Sequence, residues 1–257
     1  MGNISYHVEN HVATLTLQSP PANALSTSLL EALSAKLDDI EKDGTVKAVL
    51  LKGEGKFFSA GADIKEFTSL QNESDYTSLS QKGQELFNRV ENFHVPIIAA
   101  IHGAALGGGL ELAMACHIRY AAKDAKFGLP ELNLGIIPGF AGTQRLPAYV
   151  GASKAYEMML SSKPISGEEA EHAGLVNKSF EEDEMFQAAE KLAGTIAQKS
   201  GPTINQVMEL VSYTRNPQFK EGALAEAKAF GVAFGTEDAK EGIQAFMEKR
   251  KPNFKDQ

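Results

Sequence analysis

Three consecutive glycines, Gly107 to Gly109, lie between an apolar run, Pro96 to Ile101, and a Leu- and Ala-rich segment that ends at Cys116. The apolar run reads as a buried strand and the segment after the glycines as a helix. The glycines therefore mark a strand-to-helix turn of the kind from which an α/β core is built. Without a Cβ, the backbone there can approach a ligand closely. The first N–H groups of the helix lack intrahelical partners and carry part of the positive end of its dipole, so they suit an oxygen that gains negative charge. One acid, Glu111, falls in the first turn of this helix, and a second, Glu131, follows Pro130. Backbone donors and two acids from one segment make a candidate catalytic centre. Taken singly, each acid has a plainer reading. Glu111 would complement the dipole for about 0.3 to 1 kcal/mol, and Glu131 would be a solvated loop acid.

The rest of the chain alternates strands and helices, then turns helical. Residues 4–17 predict a hairpin around Glu9-Asn10-His11, with Ala13, Leu15 and Leu17 alternating with threonines. A helix capped by Ser26 follows, with Leu25, Leu29, Leu33 and Leu37 on one face, and Gly44 ends it. Val46 to Leu51 reads as a buried strand. The small residues of Gly53 to Lys65 allow a peptide N–H to face a cavity, although on this segment alone an ordinary tight turn followed by a helix capped by Asp63 is the favoured reading. Ser69 to Thr77 reads as a loop and Leu79 to Phe93 as a helix. Short strands are expected at Ile118 to Ala121, Lys126 to Gly128 and Leu175-Val176. Helices are expected at Gly139 to Tyr149 and Ser153 to Leu160, separated at Gly151, and after Ser166. Beyond Glu181 the pattern is helical. Gly201-Pro202 sets a boundary between residues 1–200, a core with the active site, and residues 201–257, a helical region. Phe230, Phe234, Ile243, Phe246 and Met247 give that region apolar surface that needs a cover, and another subunit is one answer.

A net charge of -8 over 257 residues argues against phosphate-backbone binding as the main task. The single cysteine, Cys116, cannot form an internal disulfide, and its apolar helix points to a buried inert thiol. No apolar run approaches the roughly 18 residues a membrane span needs. A secretory leader is not evident, and Tyr6 stands where a myristoylation motif wants Ser or Thr. A cytoplasmic enzyme is the expectation.

Four segments resemble one family, and they occur in its order: FFSAGADIKEF (57–67), ALGGGLELAMAC (105–116), FGLPELNLGIIPGFAGTQRL (127–146) and EGIQAFMEKRKPNF (241–254). They look like the signatures of the enoyl-CoA hydratases of the crotonase superfamily. The resemblance spans essentially the whole chain. It implies an α/β fold of ββα units wound into a spiral, with a C-terminal helical region that builds trimers, commonly paired into hexamers. By this resemblance Ala62 and Gly108 supply the oxyanion-hole N–H groups, and Glu111 and Glu131 are the catalytic acids. Lys56, Ala60, Asp63, Ile64 and Lys65 fall on the coenzyme A site, Pro138 and Gly139 lie where the acyl chain would run, and Phe230 and Lys249 match tail residues that reach coenzyme A. Read without it, Lys56 and Lys249 would be solvated charges and Phe230 core or interface.

The implied reaction is addition of water to a 2-enoyl-CoA thioester. The substrate carries the coenzyme A, and no metal or further cofactor is expected. A Δ3,Δ2-enoyl-CoA isomerase, which does not require Glu111, and a branched-chain hydratase acting on methylglutaconyl-CoA are the alternatives within the family. An RNA-binding member is the alternative of another class. Two departures stand out: His117 where the family usually has Asp, and Phe140 where a small residue is usual, with consequences for the width of the acyl pocket.

Overall fold

The computed structural model describes residues 2–67, 72–212 and 219–253. The chain enters through an antiparallel hairpin of β1 (Asn3–Glu9) and β2 (Val12–Gln18). Asn10 and His11 connect them, both at positive φ (51° and 67°), the conformation that matches the twist of a two-residue hairpin turn. In β2 every second residue is buried, so Ala13, Leu15 and Leu17 form one face of the core. Helix α1 (Thr27–Lys42) starts where Ser26 Oγ accepts from the Leu29 N–H at 3.3 Å, and it buries Leu29, Leu33, Leu37 and Ile40.

From here the chain winds. β2, β3 (Ala48–Gly53), β4 (Ile97–Ile101), β6 (Ile118–Ala122) and β9 (Lys178–Phe180) run parallel in one sheet, with β1 at its edge. A second sheet holds β5 (Ala104–Leu106), β7 (Lys126–Gly128) and β8 (Ile165–Ser166). Single bridges, Leu25 to Ala62 and Ser59 to Ala105, continue it toward the start of the chain. Each turn thus gives one segment to each sheet before a helix closes it, which is a ββα unit. The closing helices include α2 (Ile64–Phe67), α3 (Glu73–Glu91), α4 (Gly108–Ala115) and α5 (Gly142–Ser161).

The strands of the larger sheet are buried on both faces. Val49, Leu51, Ile97, Ala99 and Ile101 point into the main core with α4, while Ala48, Leu50, Ile98 and Ala100 pack on α7 (Glu182–Ala197). Strands covered on both sides read as continuous apolar runs, which is how they were legible. Every residue of α4 is buried, as a helix apolar all round requires.

Three local expectations change. Of the loop placed at 69–77, residues 69–71 lie outside the described residues. The remainder belongs to α3, whose cap is Asn72, with Oδ1 accepting from Asp75 N–H at 3.1 Å. Leu175 and Val176 are buried but form no strand. Their N–H groups both donate to the Ala170 carbonyl at the end of α6 (Gly167–His172), so their apolarity reflects packing, and the strand follows at β9. The helix expected from Gly139 begins at Gly142 because Ala141 sits in the left-handed region (φ 69°), while the break expected at Gly151 is present (φ 75°, ψ 159°), so α5 is two helical segments that meet there and end at Ser161. Helices α8 (Gly201–Ser212), α9 (Phe219–Phe234) and α10 (Glu237–Met247) complete the chain. Phe230, Phe234 and Ala239 pack with Ile136, Ile64 and Leu134, so α9 and α10 lie over the segment that carries Glu131.

Candidate active site

The glycine turn is built as the sequence requires. Gly107 adopts φ 52°, ψ -129°, a conformation reserved for glycine, and its N–H donates to the Gly128 carbonyl at 2.9 Å. Helix α4 begins at the next residue, so the Gly108 N–H has no intrahelical partner. The Phe57 to Ala62 segment passes beside it, and a Cβ placed on Gly108 would come 3.4 Å from the Ala62 nitrogen. Two segments far apart in the chain thereby meet at the backbones of Ala62 and Gly108.

They border a cavity of about 140 Å³ whose walls include Ala60, Ala62, Gly108, Glu111 and Glu131. Glu111 is 1% exposed. Its Oε1 accepts from the Phe140 N–H at 2.8 Å and the Gly142 N–H at 2.7 Å. A Cβ on Gly142 would lie 2.8 Å from that oxygen, so only glycine allows the approach. Glu131 is half-buried at the start of a single 3-10 turn, Glu131–Leu134. Its Oε1 comes within 3.0 Å of where a Cβ on Gly107 would stand. The two acids therefore face one space from different sides, one from the helix and one from the turn.

Of the remaining residues singled out in the sequence, Ala60, Ile64, Gly139 and Phe230 also line the cavity. Pro138 is buried behind Gly142 and is not part of its lining. Asp63 caps the short α2, its Oδ1 accepting from Lys65 N–H at 3.0 Å. Lys56, Lys65 and Lys249 are exposed and stand outside the lining. Leu134 and Ile136, which the sequence reading passed over, form part of the apolar wall with Phe140 and Phe246. Apolar spacing around a glycine and two prolines carries no helical or strand period, so nothing marked them.

The departures from the family pattern resolve structurally. His117 Nδ1 accepts from the Ile97 N–H at 3.0 Å, and the His117 N–H donates to the Ile97 carbonyl at 3.0 Å, so the imidazole ties α4 to β4 as an acceptor. Phe140 is 3% exposed, with its ring edge-on to Phe87 at 5.3 Å between centroids, and it forms one wall of the cavity. Cys116 is fully buried, and desolvation pushes its thiol up to about 12. No group of three or more metal-ligating side chains occurs among the described residues.

This spiral, with its glycine turn and paired acids, defines a class. The sequence pattern of the family described as Enoyl-CoA hydratase/isomerase matches residues 7–257, and the chain belongs to that family. It is 60% identical over 257 residues to a protein of Bacillus subtilis (strain 168) named "Probable enoyl-CoA hydratase", covering 99% of each chain. It is 39% identical over 254 residues to the "Crotonyl-CoA hydratase" of Syntrophomonas wolfei, covering 98% of this chain and 97% of that one. Among solved structures, an enoyl-CoA hydratase/isomerase from Xanthobacter autotrophicus Py2 superposes with a TM-score of 0.90 at 27% identity, over 96% of this chain and 93% of that chain. The fold is the crotonase spiral.

Proposed function

We propose that this chain is an enoyl-CoA hydratase that adds water across the α,β double bond of a 2-enoyl-CoA thioester to give a 3-hydroxyacyl-CoA. One observation carries the reading: two acids and the neighbouring backbones of Ala62 and Gly108 border the same cavity. When the water oxygen bonds to the β-carbon, the π electrons move toward the thioester and charge gathers on its carbonyl oxygen. In this reading the Ala62 and Gly108 N–H groups oppose that charge, and losing one such donor typically costs about 2.7 to 4 kcal/mol of barrier. Glu131 delivers a proton to the α-carbon as the enolate collapses. Glu111, its carboxylate held by the Phe140 and Gly142 N–H groups, positions the water and takes the proton the water sheds. Proton exchange with solvent then restores both acids.

Both acids reaching one space favours hydration over double-bond migration, which needs only the Glu131 role. The coenzyme A moiety would run from the cavity toward Ala60, Asp63, Ile64 and Lys65, with Lys56 and Lys249 at its charged end. Exposed Val207, Leu210 and Val211 on α8, with Phe246 and Met247 on α10, support a trimer or hexamer. No described helix is long and apolar enough to cross a membrane, and the cytoplasm is the proposed location. The test is steady-state turnover of crotonyl-CoA. Wild type should hydrate it, and Glu131→Gln should lose at least about 10²- to 10⁴-fold in kcat while still binding coenzyme A. Near-normal turnover by that variant would remove the assignment.

A further inference from the structure

Two polar side chains of α3, Ser80 and Gln84, are buried, at 0% and 5% exposure, and take no part in the chemistry above. They sit one helical turn apart and so share a face. Both donate to one distant acceptor. Ser80 Oγ donates to the Gly139 carbonyl, and Gln84 Nε2 donates to the same oxygen at 3.1 Å. Burying a hydroxyl and an amide is costly unless both are bonded, and an apolar pair would fill the same space. What the two donors hold is one peptide unit, and the N–H at its other end, on Phe140, is the one that donates to Glu111 Oε1 at 2.8 Å. Donors on the oxygen fix the direction of that unit and polarise it, which strengthens the bond its N–H makes.

We propose that Ser80 and Gln84 are positioning residues for Glu111, acting through the Gly139-Phe140 peptide to set the carboxylate that holds water. The inference rests on the hydratase reading. Arg145 steadies the following peptide in the same way, its Nη1 donating to the Phe140 carbonyl at 2.8 Å while Asn88 and Glu91 hold the guanidinium. Arg145 is paired and 1% exposed, so removing it would strand the partly buried carboxylate of Glu91 and endanger folding. Ser80 and Gln84 carry no charge and make the cleaner test.

The experiment compares wild type with Ser80→Ala, Gln84→Leu, the double variant and Ser80→Thr. Three quantities are read: steady-state hydration of crotonyl-CoA, exchange of the α-hydrogens of butyryl-CoA in deuterium oxide, and thermal melting. Exchange needs the two N–H donors and Glu131 but not the water-holding acid. The double variant should lose roughly 10- to 100-fold in kcat for hydration. Its KM and its exchange rate should stay within about twofold of wild type. Ser80→Thr, which keeps the hydroxyl, should stay close to wild type in kcat. If the double variant does not fold, the two single variants decide on the same readouts. Hydration and exchange falling together, or a folded variant hydrating at the wild-type rate, would overturn the proposal. A wild type that does not turn over crotonyl-CoA would instead overturn the hydratase reading, and this inference with it.

Discussion

The two acids of the cavity are carried by differently built supports. Glu111 stands on α4, a helix buried on every side, and its Oε1 is held by two N–H groups of the Phe140 to Gly142 loop. Glu131 stands on a four-residue 3-10 turn, and what backs that turn is α10. A Cβ on Gly242 of α10 would meet the Leu134 carbonyl oxygen at 2.3 Å, so helix and turn are in direct backbone contact. The difference suits the two tasks proposed for them. An acid that holds water must keep one direction, whereas an acid that hands a proton to carbon must meet a substrate entering beside it. One acid is fixed by the core, the other by the tail.

Substitutions at glycines can break this contrast from either side. Gly142→Ala would drive a methyl into Glu111 Oε1 and the Pro138 ring, at 2.8 and 3.0 Å. Hydration of crotonyl-CoA should fall about 100-fold, while α-hydrogen exchange of butyryl-CoA persists. Gly107→Ala acts on the other acid, placing its Cβ 3.0 Å from Glu131 Oε1 on a backbone only glycine adopts. Both activities should drop together, and a strain of roughly 1 to 3 kcal/mol should appear as a lowered melting temperature. Gly242→Ala should displace α10 from the 3-10 turn and reduce both activities by about tenfold. If hydration alone fell, the tail would not be what supports Glu131.

The smallest expected effect concerns Cys116. With its thiol near 12, the thiolate is scarce at pH 8, because burial penalises the charged form more than nearby Arg119 and Arg145 favour it. A thiol reagent at pH 8 should leave the native protein unmodified and fully active, and react stoichiometrically once it is denatured. Rapid modification of the native form would show that α4 opens.

How far the sequence carried this picture depended on whether a signal was local. The Glu9-Asn10-His11 turn, the Ser26 cap and the helix start at Ser166 each lie within a few residues, and each formed where it was read. Gly107 was legible because the constraint it answers is its own backbone. Leu175-Val176 misled because burial and strand pairing both select apolar residues, and only the hydrogen bonds to Ala170 distinguish them. Of the loop read at 69–77, the described part from residue 72 misled because polar residues after a cap also begin a solvent-facing helix. Ser80 and Gln84 were invisible for another reason: their acceptor lies 59 and 55 residues away, a distance no periodicity encodes. The residue-level roles came from resemblance to a family, since spacing alone cannot tell a structural glutamate from a catalytic one.

The central claim is a division of labour between Glu111 and Glu131. It is tested most directly by the ratio of crotonyl-CoA hydration to butyryl-CoA α-hydrogen exchange in Glu111→Gln and Glu131→Gln. The account predicts that Glu111→Gln loses hydration by at least about 10²-fold and keeps exchange, and that Glu131→Gln loses both. Equal loss of the two activities in both variants would contradict it.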